Sequence, residues 1–233
     1  MHFIFPGLYD YDVMSFVVHF LRREDLFVDV GANIGAYTLL ASGVSGARSV
    51  SFEPGSLAFS YLIQNVRLND LTDKVTCVNA ALGWSEGTIR MTEGLGTENH
   101  VCSGSEGQGS VEVPLKTLDG ELKGLEPVLI KVDVEGFETE VFAGATQTLK
   151  KSSLAALIVE RAGNAERYNR DERDLHDLIQ SMSFTPCSYS PADRSLNRDG
   201  LVADGDVIYV RDFETAQQKL REAQSFHFAG LTI

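Results

Sequence analysis

Positive charge is scarce in this chain. Only 20 Lys and Arg stand against 33 Asp and Glu in 233 residues, a formal net charge of −13. The basic residues are scattered. Such a surface repels phosphate backbones, so nucleic acid is not an expected partner. Cysteine is also rare. Cys77, Cys102 and Cys187 lie far apart and form no CxxC pair or Cys/His ligand spacing. That argues against a zinc site and against a disulfide framework, and suits a reducing compartment. No apolar run approaches the roughly 20 residues that a membrane-spanning helix needs. The opening "MHFIFPGLYDYDV" has neither a basic leader region nor a long apolar core, so no signal peptide is expected. These absences point to a cytoplasmic location with no membrane partner.

What remains is ordinary globular composition, 43% hydrophobic and 23% charged, in a chain long enough to bury a sizeable core. No internal repeat is present. Val13, Phe16, Val17, Phe20 and Leu21 form an apolar stripe at helical spacing, which predicts a helix over about 10–22. Strand and helix signals then alternate. "LFVDV" (26–30), "RSVSF" (48–52), "VTCVN" (75–79), "VLIKV" (128–132) and "LAALIVE" (154–160) read as buried strands. Helices are expected over about 35–43, 56–69 and 171–182, and after the fourth strand, with Phe137, Val141, Phe142, Ala145 and Leu149 on one face. Such alternation predicts a doubly wound α/β fold with a mostly parallel sheet covered on both faces. "GTIRMTE" (87–93) and "SVEVPLKTL" (110–118) alternate like a β-pair. They flank the Gly/Ser-rich loop 94–109, whose length suggests a functional lid or disorder. "FTPCSYS" (184–190) and "DVIYV" (206–210) read as a terminal antiparallel pair. Residues 214–223 read as a polar helix.

The turn "DVGANIG" follows the first strand, where doubly wound sheets bind ligands. Gly31 and Gly35 allow a tight bend and a close approach. The dinucleotide pattern G-x-G-x-x-G fails, because Asn33 and Ala36 stand at its second and third glycine positions. Asp29 would repel a phosphate and suits an ammonium or hydroxyl. Glu53 ends the second strand, where a carboxylate can take two ribose hydroxyls. Asn79 or the Ala80/Ala81 backbone, at the end of the third, would meet an adenine edge. A ribose, an adenine and an amino acid without phosphates describe S-adenosylmethionine. Taken singly, Asp29 reads equally well as a helix cap and Glu53 as a solvated strand end; the two at successive strand ends carry the reading.

"FVDVGANIGAYTLLA", "SFEPGSLAFSYLIQNVRLN", "VPLKTLDG" and "LIKVDVEGFETEVFAGA", in this order, resemble the FkbM family of S-adenosylmethionine-dependent methyltransferases. The resemblance covers roughly residues 26–160, with "KVDVEG" its most specific block. It implies the class I methyltransferase fold, Rossmann-like and seven-stranded, in the order 3-2-1-4-5-7-6 with one antiparallel edge strand. It also implies O-methylation, typically of sugar or secondary-metabolite hydroxyls. Carried over by position, Asp29, Gly31, Asn33, Gly35 and Glu53 fall on cofactor-contacting places. The expected organisation is one methyltransferase domain over 1–233, with a helical segment at 1–25 and a β-pair and lid insertion at 83–118. The expected partner is a small-molecule or sugar acceptor; a homodimer is allowed by the sequence and not required by it.

A hydroxyl is a poor nucleophile at neutral pH and needs a base or a metal. Lys131, Asp133 and Glu135 alternate in "KVDVEG", so a continued strand sends them to one face beside the cofactor. Lys131 would neutralise the acids or hold an acceptor oxygen; alternatively, Glu135 caps the following helix and Lys131 pairs with it. His100, the only histidine in the long loop, is a candidate general base, and equally a solvated loop residue. Glu160, ending the fifth strand, would line the acceptor side or pair with Arg161. Asp133 with Glu135 or Glu160 would be the ligands of a divalent cation, but nothing in the spacing demands a metal and none is expected. Two other functions stay open: a NAD-dependent oxidoreductase, which the failed glycine pattern disfavours, and an S-adenosylmethionine-binding protein without catalysis.

Overall fold

The computed structural model describes residues 8–103, 109–161, 163–198, 205–228 and 231–232. In chain order its elements are α1 (Tyr11–Phe20), β1 (Leu26–Val30), α2 (Ala36–Leu39), β2 (Arg48–Phe52), α3 (Ser56–Leu68), β3 (Val75–Val78), β4 (Ala81–Leu82), β5 (Gly87–Thr92), β6 (Ser110–Lys116), α4 (Leu118–Glu121), β7 (Leu129–Val132), α5 (Glu138–Ala143), β8 (Ala156–Arg161), α6 (Glu172–Ser181), β9 (Thr185–Ser190), β10 (Ser195–Asn197), β11 (Gly205–Val210) and α7 (Phe213–Arg221), with a short pairing of β12 (His227–Phe228) and β13 (Leu231–Thr232). The main sheet runs β10-β9-β11-β8-β7-β1-β2-β3. Its first seven positions counted from β3 follow the expected order once the insertion strands are set aside.

Two expectations need correction. The sheet has eight strands among the described residues, because β10 pairs with β9 at the edge. Three residues with one buried side chain, Leu196, carry too little pattern to be read as a strand. The antiparallel strand β11 is also not at an edge. It lies between β8 and β9 and is antiparallel to both. Val207, Ile208, Tyr209 and Val210 are all buried, as an interior strand requires.

Period-two alternation sorts the strand residues into two cores. Phe27, Leu129, Ile158 and Ile208 pack on one face with Phe16, Val17 and Phe20 of α1 and with Leu220 of α7. Val28, Ile130, Leu157 and Val207 pack on the other with Val141 and Phe142 of α5 and with Leu175 and Ile179 of α6. Each fully buried side chain of this size contributes roughly 1.5–3 kcal/mol, so both layers anchor the strand ends that carry the site. The helix expected after β7 is shorter than its apolar stripe. α5 ends at Ala143, and a 3₁₀ turn over Thr148–Lys150 buries Leu149 instead.

The insertion pairs as expected: β5 and β6 are antiparallel, from Gly87 opposite Leu115 to Thr92 opposite Ser110. β4 joins them in a separate three-stranded sheet. The loop after β5 folds back so that Val101 bridges to Met91. Residues 104–108 of the expected lid lie outside the described residues. No helix among the described residues is long and apolar enough to cross a membrane.

Candidate active site

A cavity of about 450 Å³ opens at the carboxyl ends of β1, β2, β7 and β8, within the size range of small-molecule sites. Its first wall is the turn after β1. The Gly31 and Ala32 N–H groups donate to the Phe52 carbonyl at 3.0 and 2.9 Å, which binds this turn to the end of β2. Gly31 has φ +80°, and a Cβ there would lie 1.8 Å from the Asp133 carbonyl oxygen. Only glycine lets the ends of β1 and β7 come this close. Gly35, at φ +93°, opens α2, where a Cβ would meet Leu62 at 2.6 Å.

Glu53 follows β2 and is buried. Its two carboxylate oxygens accept separate backbone N–H groups, from Asn33 at 2.8 Å and from Gly55 at 2.7 Å. Burial pushes its pKa up to about 7, against the pull of those two bonds. The bonds fix the carboxylate's direction and leave each oxygen with accepting capacity. Asn79 is exposed and stands outside the cavity lining. Its amide donates to the carbonyls of Glu53 and Pro54 at 2.8 and 3.0 Å, so it braces the turn that carries Glu53. Ala80 and Ala81 are buried and do line the cavity.

The other half of the cavity is ionic. Asp29 lies directly across the sheet from Lys131, and Glu160 across from Asp206. Each of the four stands two residues along its own strand from an apolar residue on the same face, Phe27, Leu129, Ile158 and Ile208 respectively. Asp29 is buried and accepts the Thr38 hydroxyl at 2.6 Å; burial raises its pKa. It does not cap α2, whose N-cap is Gly35 without a side-chain bond. The Lys131 ammonium is buried, 2.6 Å from Asp133 Oδ2 and 4.6 Å from the Tyr37 ring centre. Burial opposes its charge, but Asp133, Asp206 and Asp29 outweigh burial and hold it well above the usual lysine range.

Lys131, Asp133 and Glu135 do not share a continued strand. β7 ends at Val132, and the chain turns through positive φ at Glu135 (58°) and Gly136 (101°). The turn still delivers Asp133 and Glu135 to the cavity. Glu135 is held by Asn164, whose amide donates to Oε2 at 3.0 Å, and Arg167 donates to its carbonyl at 2.7 Å. Glu138, not Glu135, caps this turn, accepting from the N–H groups of Val134 and Gly136 at 3.1 Å each. Asp133, Glu135 and Glu160 each offer an oxygen within 4.8 Å of the others, so this trio has the geometry to hold a divalent cation.

His100 also reaches the cavity, from the insertion. Its backbone is tied to Thr92, and its Nδ1 lies 2.9 Å from the Glu98 carbonyl. A carbonyl only accepts, so Nδ1 bears the hydrogen, and in the neutral ring Nε2 bears the lone pair. Tyr168 donates to the Val101 carbonyl at 2.7 Å and packs edge-on against Phe137, which joins the insertion to the turn after β7. Sequence reasoning missed Tyr9, Tyr37 and Asp206. The shared strand parity of Asp206 and Ile208 was the readable signal for one of them; Tyr9 had none.

These ionisable groups predict an unusual pH dependence of stability. Burial foremost raises Glu160 to about 9, with Asp133, Glu135 and Glu138 adding to it. Burial likewise raises Glu53 and Glu138 to about 7 and Asp206 to about 6. Between the ordinary carboxylate range and these values, the folded state keeps protons that the unfolded chain has lost. Stability should therefore fall as pH rises from about 4.5 towards 9. Glu160→Gln should raise Tm by about 2–4 °C at pH 8 and leave it unchanged at pH 4. Melting curves that show no stabilisation at pH 8 would contradict this.

Strand order, crossovers and a ligand cavity at the carboxyl ends define the Rossmann-like methyltransferase class. Among solved structures, the FkbM methyltransferase of Methylobacillus flagellatus KT superposes with a TM-score of 0.56 at 18% identity, over 81% of this chain and 44% of that one. The precorrin-6y C5,15-methyltransferase of Geobacter metallireducens GS-15 does so with a TM-score of 0.50 at 11% identity, over 85% of each chain. The model of the methyltransferase FkbM domain matches residues 29–189, and the chain belongs to that family. It is 31% identical to the methyltransferase sdnD of Sordaria araneosa over 162 residues, 54% of this chain and 62% of that protein. It is 30% identical to the hexuronic acid methyltransferase AglP of Haloferax volcanii over 201 residues, 81% of this chain and 73% of that protein. The match thus spans less than two thirds of the Sordaria protein and less than half of the Methylobacillus one.

Proposed function

We propose that this protein is an S-adenosylmethionine-dependent O-methyltransferase acting on a hydroxyl of a small molecule, with a sugar as the favoured acceptor. The observation that carries the donor is Glu53. A buried carboxylate, aimed by two backbone N–H groups into a cavity beside a glycine turn, suits the paired hydroxyls of a ribose. Ala81 stands where an adenine would lie, and Asp29 where an ammonium would. The likeness to a protein named for hexuronic acid methylation supports a sugar acceptor.

Bound S-adenosylmethionine would supply a methyl group on a sulfonium, open to in-line displacement by an acceptor oxygen. The chain's own residues handle the proton. His100 Nε2 takes it from the acceptor hydroxyl. Burial foremost raises the pKa of Glu160, which disfavours it as a base at neutral pH. Lys131 holds Asp133 in place through the 2.6 Å ion pair, and Glu135 and His100 interact electrostatically across the site.

Glu53→Ala should weaken S-adenosylhomocysteine binding by about 1–3 kcal/mol. In the unsubstituted protein, affinity should rise through pH 7 as Glu53 ionises. Titration calorimetry at pH 6 and 8 checks both. Equal affinities in the variant and the parent would remove Glu53 from the donor site.

A further inference from the structure

Asp29 reaches the cavity with two buried hydroxyls behind it. Thr38 of α2 and Ser51 of β2 are both fully buried, and neither lines the cavity. The Thr38 hydroxyl donates to Asp29 Oδ2 at 2.6 Å, and its oxygen lies 2.7 Å from Ser51 Oγ. A hydroxyl has a single hydrogen to give. Thr38 gives it to the carboxylate, so the Ser51 hydroxyl donates to Thr38. The three groups form a chain with one direction, from Ser51 through Thr38 to Asp29. Asp29 has Ser51 beside it on β2 and Lys131 beside it on β7. Contact with Ser51 places the Thr38 hydroxyl on the β2 side of the carboxylate. The Lys131 charge attracts the same carboxylate from the β7 side. Two attractions therefore act on Asp29 from opposite sides.

We infer that Thr38 is a positioning residue for donor binding: its hydroxyl holds the Asp29 carboxylate off Lys131 and presents it to the donor's ammonium group. This rests on the proposed S-adenosylmethionine donor and on Asp29 as the place of its ammonium. Lys131 already pairs with Asp133 at 2.6 Å. A second carboxylate drawn onto Lys131 would have less charge to offer a ligand, and would leave the place where the ammonium meets it. Charge-assisted bonds are strong only at short distance and in good alignment, so the aim of the carboxylate matters as much as its charge. Ser51 secures the aim, because its own hydrogen occupies the Thr38 oxygen and directs the Thr38 hydrogen to Asp29. Valine keeps the shape of Thr38 without the hydroxyl, and serine keeps the hydroxyl without the methyl. The two substitutions separate aiming from space filling.

The test is titration calorimetry of the full chain with S-adenosylhomocysteine, in the parent and in Thr38→Val, Thr38→Ser, Asp29→Asn and the double variant Thr38→Val with Asp29→Asn. Thr38→Val should weaken binding by about fivefold or more, and Thr38→Ser should stay within about twofold of the parent. Asp29→Asn should weaken binding too, and adding Thr38→Val to it should change the affinity by less than about twofold, because no carboxylate is left to aim. An equal loss from Thr38→Val in both backgrounds overturns the inference, since Thr38 would then act by packing alone. Unchanged binding in Thr38→Val also overturns it, and a loss in Asp29→Asn then leaves Asp29 in its place at the donor. Unchanged binding in Asp29→Asn removes Asp29 from the donor site, and the inference falls with that reading. If the parent does not bind S-adenosylhomocysteine, the donor reading fails and takes the inference with it. Melting temperatures verify folding, and Thr38→Ala takes the place of Thr38→Val if the valine variant does not fold.

Discussion

Replacing His100 with Ala should lower kcat by about 10²–10⁴-fold while S-adenosylhomocysteine affinity barely changes. The ring sits in the cavity wall, and its Nδ1 is committed to the Glu98 carbonyl. That bond selects the tautomer in which Nε2 accepts a proton. A protonated ring cannot do so, and the pH–rate profile should lose its acidic limb in the variant. The nearby carboxylates compete poorly for the role. Burial foremost raises Glu160 to about 9, which disfavours it as a base at neutral pH. Asp133 is paired with the buried Lys131 at 2.6 Å. Glu135 is the remaining rival, since burial foremost raises its pKa. Near-normal turnover in His100→Ala, with a large loss in Glu135→Gln, would transfer the proton to Glu135.

Gly31→Ala should destabilise the fold by about 3 kcal/mol or more and abolish donor binding. A left-handed backbone costs an alanine about 1–2 kcal/mol. The new Cβ would also lie 1.8 Å from the Asp133 carbonyl oxygen, which is backbone and cannot swing aside. Relieving that overlap adds about 1–3 kcal/mol and pushes apart the ends of β1 and β7, where donor and acceptor must meet. Gly94 provides the control. Its φ is +90°, and a Cβ there meets nothing within 4 Å. Gly94→Ala should show the backbone term alone, with donor binding intact. Urea denaturation of both variants separates the two contributions. Equal losses would mean that the approach of β1 to β7 carries no energy.

Much of this architecture was legible because buried parallel strands leave near-continuous apolar runs, and β1, β2, β7 and β8 all have them. The β5–β6 pair was legible from alternation. β10 was not: three residues cannot establish a period, and it exists only because the edge of β9 is there to pair with. The interior place of β11 was also hidden, since antiparallel pairing is a property of the sheet and not of "DVIYV". At the cavity, Gly31 and Glu53 line the wall from the strand ends where the pattern put them, while Gly35 opens α2 outside the lining. Asn79 lay at the right strand end too, but its amide finds the carbonyls of Glu53 and Pro54 before any ligand. The alternation in "KVDVEG" suggested a shared face, and Asp133 and Glu135 do share the cavity. They do so through a left-handed turn that alternation does not describe. Tyr37 of α2 meets Asp206 of β11 across 169 positions of sequence, and Tyr9 meets Tyr37 from before α1; no local pattern foretells such contacts.

The central claim is that the cavity takes S-adenosylmethionine and that a methyl group leaves it for an acceptor hydroxyl. Titration calorimetry of the full chain with S-adenosylhomocysteine, run beside NAD under the same conditions, tests its foundation most directly. Saturable one-site binding of S-adenosylhomocysteine and no detectable heat with NAD are expected. Binding of NAD without binding of S-adenosylhomocysteine would contradict it.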